Sequence, residues 1–142
     1  MNRYLLDTNA LSETARPRPS TQLVARFQAH RAELCTSSVV WHELCIGVSR
    51  LAPGRRKAQL QVWLAALASS SLPILPYDRD SAHWQAEERA RLERVGRIVP
   101  FRDAQIAAVA RVNDLVLVTA NLADFAGFEG LRVESWMESA AV

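Results

Sequence analysis

Short apolar runs alternate with longer amphipathic stretches along the whole chain. Tyr4-Leu5-Leu6 is an apolar run stopped by the polar Asp7-Thr8-Asn9, and Leu34-Cys35-Thr36 is a second. Residues 72–75 and 115–118 follow the same pattern, the latter ending in Thr119, and residues 132–134 are a last short candidate. Such runs, bounded by polar or turn residues, predict buried strands. Pro73 and Pro76 flank the third and mark it as an edge.

Between these runs the period changes to that of a helix. Ser20 or Thr21 would cap a helix carrying Leu23, Val24 and Phe27 on one face. Ser37 or Ser38 would cap a second helix over about 39–51, ended by Pro53-Gly54. Leu60, Trp63, Leu64 and Leu67 give the apolar face of a third, over about 55–68. A charged helix over about 79–95 ends at Gly96, and another begins near Asp103 after Pro100. Residues 120–130, with two glycines, read as a loop. Short strands alternating with helices imply right-handed βαβ units and a parallel sheet, in a single domain spanning 1–142.

Composition narrows the class without deciding it. An apolar fraction of 49% and a charged fraction of 23% are those of a globular chain. A chain this long buries about 70% of its unfolded surface and needs neither disulfides nor a structural metal to fold. Cys35 and Cys45 both lie in apolar segments and read as free thiols. No apolar run is long enough to span a bilayer, and no signal-peptide core follows Met1, so a cytoplasmic protein without a membrane role is expected. The 17 Lys and Arg against 15 Asp and Glu leave a net charge of +2, which excludes a polybasic arm. Of the basic residues only Lys57 is a lysine; the arginine bias fits either genome composition or phosphate recognition.

The acids fall where chemistry is expected. In open α/β sheets, ligands bind beyond the carboxyl ends of the strands. Asp7 follows the first strand, Asp124 follows the fourth, Asp103 opens a helix, and Glu43 lies within an apolar helix. Each has a plain alternative: an Asx turn for Asp7, loop polarity for Asp124, dipole stabilisation for Asp103, an arginine partner or solvent for Glu43. Together they suggest a shared pocket. Several carboxylates in one pocket repel one another, and a divalent cation relieves that repulsion. An oxygen-only donor set points to Mg²⁺ or Mn²⁺ rather than zinc.

With these residues placed, the chain resembles the PIN-domain ribonucleases, in particular VapC-type toxins. Leu5-Leu6-Asp7-Thr8-Asn9 looks like the first motif of that family, and residues 38–47 with Glu43 look like the second. Residues 100–108 with Asp103 look like the third, residues 117–125 with Asp124 the fourth, and Gly130-Leu131-Arg132-Val133 the closing strand. The resemblance implies an αβα sandwich with a parallel sheet of order 3-2-1-4-5. It also implies cleavage of RNA dependent on Mg²⁺ (Mn²⁺ as the alternative), a homodimer, and silencing by a small cognate antitoxin. By position Asp7, Glu43, Asp103 and Asp124 would be catalytic, with Asp7 and Asp103 contacting the metal. Asn9, Thr119 and Asn121 would orient the acids. Relatives often carry a basic residue where this chain has Ala120.

Arg94, Arg97 and Arg102 lead into Asp103 and are candidate contacts to the RNA backbone; Arg50, Arg55, Arg56 and Lys57 form a second basic group. Two rival readings stay open. One is a phosphoryl-transfer α/β domain, which usually needs a second Asp where Asn9 stands or a Lys after a late strand, where Lys57 is not. The other is a catalytically silent PIN fold that binds RNA or a partner.

Overall fold

The computed structural model describes residues 1–137; the last positions of the expected 1–142 domain lie outside the described residues. Five parallel strands form the sheet: β1 (Tyr4–Leu6), β2 (Leu34–Ser37), β3 (Ile74–Leu75), β4 (Val116–Val118) and β5 (Arg132–Glu134). Their order is β3-β2-β1-β4-β5, as expected from the resemblance. β1 occupies the centre, with Leu5 opposite both Cys35 and Leu117. Its three side chains and those of β4 are buried, as continuous apolar runs in a sheet covered on both faces must be.

Among the described residues seven α-helices accompany the strands: α1 (Thr8–Glu13), α2 (Thr21–Ala29), α3 (Ser38–Ser49), α4 (Arg55–Ser69), α5 (Arg79–Arg94), α6 (Phe101–Val112) and α7 (Leu122–Phe125). The chain winds outward from β1 to β3, then returns to β4 and β5 on the other side. Right-handed crossovers therefore place helices on both faces. The strand order reverses between β1 and β4, leaving a crevice at their carboxyl ends.

Four features differ from the sequence expectation. Thr8-Asn9, read as the polar end of a strand, opens α1, because the Asp7 side chain caps it by accepting from Thr8 N–H at 2.8 Å. The loop 120–130 contains α7, which brings Asp124 into a helix whose buried residue is Phe125. A 3-10 turn, Arg31–Glu33, precedes β2. The helix bearing Glu43 is not buried all round: Val40, Leu44 and Val48 form one buried stripe, and Val39, Trp41 and Ile46 are half-buried. Leu60, Trp63, Leu64 and Leu67 do share the inward face of α4, but none is fully buried. The third strand is an edge, as its prolines require, with Ile74 exposed. Cys35 is buried in the sheet, which pushes its thiol pKa up to about 12, and Cys45 is half-buried; both are free.

Candidate functional site

The crevice between β1 and β4 brings the first and fourth motifs together. Asp7 leaves β1 with 5% exposure, and its backbone N–H donates to Val118 O at 2.9 Å. The neighbouring strand delivers Thr119, whose hydroxyl donates to Asp7 Oδ2 at 2.8 Å. Asn9, the second residue of α1, donates from Nδ2 to Thr119 Oγ1 at 3.2 Å and to Asp7 Oδ2 at 3.5 Å. Asn9 Oδ1 accepts from Ala120 N–H at 2.8 Å. Asp7, Asn9 and Thr119 thus form one closed network across two strands distant in sequence.

Asn121 enters this network through its backbone: its N–H donates to Thr119 Oγ1 at 3.1 Å. Ala120 joins the same network through its backbone N–H.

Glu43 comes from α3, the helix capped by Ser37, whose hydroxyl accepts from Val40 N–H at 3.2 Å. Its Oε2 accepts from the Thr8 hydroxyl at 2.9 Å. Its Oε1 is buried without a hydrogen bond but lies 2.9 Å from Arg102 Nε, so the contact is an ion pair lacking hydrogen-bond alignment. Asp103 sits in the first turn of α6, where the helix dipole favours an anion, and Asp124 sits exposed in α7.

The four acids share one electrostatic field. Burial pushes the Asp7 carboxyl above its ordinary value, and Asp124 adds to the rise, while Thr119, Thr8 and Arg102 oppose it. Burial likewise raises Glu43, against Thr8 and Arg102 and with Asp7 and Asp103. Asp103 is raised by burial and then by Asp7 and Asp124. Asp7, Glu43 and Asp103, from separate motifs, are thus each raised, with Asp124 acting on Asp7 and Asp103.

This donor set suits a hard divalent cation. It is made of oxygens only, it is under mutual repulsion, and it includes an orphaned buried oxygen, Glu43 Oε1. Among the described residues no three His, Cys, Asp or Glu side chains form a ready-made ligand cluster. Mg²⁺ does not need one, since one or two carboxylates with water suffice.

The sequence pattern alone assigns Thr8 no role. Its role appears only when α3 places Glu43 beside it; the adjoining Asp7 was the one available signal. Arg102 is at the site, as its position before Asp103 suggested, but it is engaged with Glu43. Arg94 lines a surface cavity with Trp84, Arg91 and Glu129, and Arg97 packs over the backbone of Gly127. Neither pairs with the four acids among the described residues. Lys57 donates to Ser49 O and Leu51 O, stapling the α3–α4 turn, whereas Arg56 borders a cavity that Asn9 also lines.

Comparison with known proteins bears on the same residues. A family model described as PIN domain matches residues 4–129. The chain is 34% identical over 137 residues to the tRNA(fMet)-specific endonuclease VapC of Salmonella typhimurium, covering 96% of this chain and 99% of that one. Among solved structures, DNA-bound VapBC from Salmonella typhimurium aligns with a TM-score of 0.85 at 31% identity, over 96% of this chain and 99% of that one. VapBC-5 from Mycobacterium tuberculosis, a member of the VapBC family of toxin-antitoxin systems, aligns at 0.69 and 29% identity, over 97% and 100%.

Proposed function

The chain belongs to the PIN-domain family as a VapC-type ribonuclease, and from that premise we propose that it is the toxin of a toxin–antitoxin pair, a metal-dependent endoribonuclease that hydrolyses RNA phosphodiester bonds. The observation that carries this reading is the network joining Asp7, Thr119 and Asn9 where the strand order reverses, with Asp103 and Asp124 acting on the Asp7 side and Glu43 held beside it by Thr8 and Arg102. Asp7 and Asp103 would hold Mg²⁺, with Mn²⁺ as the alternative. When bound, such an ion supplies a lowered pKa for water and neutralises charge developing on the phosphoryl oxygens.

The chain's own residues prepare the site for that chemistry. Thr119 and Thr8 N–H fix both oxygens of Asp7 before substrate arrives. Asn9 locks Thr119 and the backbone of Ala120, so the two strand ends cannot drift apart. Thr8 holds one oxygen of Glu43. Asp124, the most exposed of the four, is open to an incoming RNA strand. The exposed Arg94, Arg97 and Arg102 are the candidate contacts to its backbone. Residues 1–142 would form a single PIN domain that acts in the cytoplasm as a homodimer, held silent by a small antitoxin. The preformed acidic network favours a nuclease over a silent PIN module. Asn9, bonded to Asp7 and Thr119, serves the nuclease reading and not a phosphoryl-transfer aspartate pair.

Induced expression followed by mapping of cellular RNA 5′ ends tests the proposal. New 5′ ends and arrested growth are expected with the natural chain and neither with Asp7→Asn. Growth arrest that persists in Asp7→Asn, or arrest without new RNA ends, contradicts it.

A further inference from the structure

The acidic site already contains a cation belonging to the chain. Arg102 reaches from the first turn of α6 to Glu43 on α3, with Nε 2.9 Å from Oε1. That oxygen is buried and takes no hydrogen bond, so among the described residues the guanidinium charge alone compensates it. The other oxygen is taken by Thr8. The Arg102 charge also acts on Asp7 and Asp103, so one side chain partly offsets three of the four acids.

The two partners differ in freedom. The Arg102 side chain is 62% exposed and that of Glu43 only 12%. The guanidinium can therefore withdraw into water without disturbing the core, while Glu43 cannot. As the side chains stand, Glu43 is directed at Arg102 and Thr8 and does not complete a ligand cluster with the other acids. An ordinary surface ion pair contributes little. This one ends on a buried carboxylate inside a group of like charges, where removing the partner leaves that carboxylate uncompensated.

We propose that Arg102 is a positioning residue, an internal counter-ion that holds Glu43 in the cation-free protein and is displaced when a divalent cation enters. The proposal rests on the metal-dependent reading of the site. Its consequence is that Arg102 lowers the affinity of the site for the cation: the guanidinium and the ion compete for the same negative field. Displacement releases Glu43 and frees an exposed arginine beside Asp103, so entry of the ion and the arming of the site become one event.

Mn²⁺ titration calorimetry of the full chain at fixed ionic strength separates this from a merely structural role. Arg102→Gln is expected to bind Mn²⁺ about tenfold more tightly, because a like charge within a few ångströms of the ion has been removed. Arg102→Ala should change in the same direction, and Arg102→Lys, which keeps the charge, should stay near the natural affinity. Loss of a purely structural contact would weaken binding or leave it unchanged. A natural chain that binds Mn²⁺ with Arg102→Gln and Arg102→Ala binding no more tightly overturns the counter-ion role alone. A natural chain that binds no Mn²⁺ overturns the metal site itself, and this role with it.

Discussion

Asp7 is asked to be both buried and charged. Its carboxylate has 5% exposure and three protein donors, yet burial outweighs them and raises its pKa. A carboxyl raised in the folded chain binds its proton more readily there than in the unfolded one. The stability this contributes is full below the ordinary value of 3.8 and is lost as pH rises through the raised one. Asp7→Asn removes that loss. The cation-free Asn variant should melt above the natural chain at pH 7. The gap should close toward pH 4, as followed by thermal melts in EDTA; no gap at pH 7 would contradict the strain assigned to this carboxylate. Asp7 was legible in the sequence because it ends an apolar run. Thr8 was not, since its hydroxyl gains meaning only from Glu43, which the fold brings from another element.

At the scale of elements, each acid is placed by how its helix begins. α3 starts directly at the end of β2, with Ser37 belonging to the strand and capping the helix at once. Ser37→Ala should lower stability by about 1 kcal/mol, read from urea denaturation. Unchanged stability would mean that the cap does not anchor the helix bearing Glu43. This cap could be read in the sequence, as could α2, α4, α5 and α6, whose lengths allow an apolar period or a clear start. α1 and α7 could not. Each is too short to show a period, and each gains its place from neighbours: Asp7 capping α1, and Phe125 buried beneath α7. The sequence of α3 is apolar on most sides, yet only one stripe of it, Val40, Leu44 and Val48, is fully buried. α4 packs beside it with no fully buried residue of its own, and Val39, Trp41 and Ile46 are half-buried.

For the whole molecule, the topology explains why acids from distant motifs share a field. Strands wound outward in both directions from β1 leave their carboxyl ends beside one another only where the order reverses, and Asp7 and Thr119 stand there. Strand order came from the resemblance; the periodicity alone gave only a parallel sheet. If the proposed site gathers four acidic charges around a cation, the remainder of a chain of net charge +2 is clearly basic, which suits an RNA-cutting surface. No helix among the described residues is long and apolar enough to cross a membrane. The most direct test of the central claim uses purified protein and a single-stranded RNA of mixed sequence, with Mg²⁺, with EDTA, and with Asp7→Asn. The expected result is internal cleavage with Mg²⁺ that leaves 5′-phosphate and 3′-hydroxyl ends. EDTA should abolish it, and Asp7→Asn should reduce it at least about a hundredfold, as loss of a group central to electrostatic stabilisation does. Cleavage that survives both EDTA and the substitution would contradict the four-carboxylate, cation-dependent site.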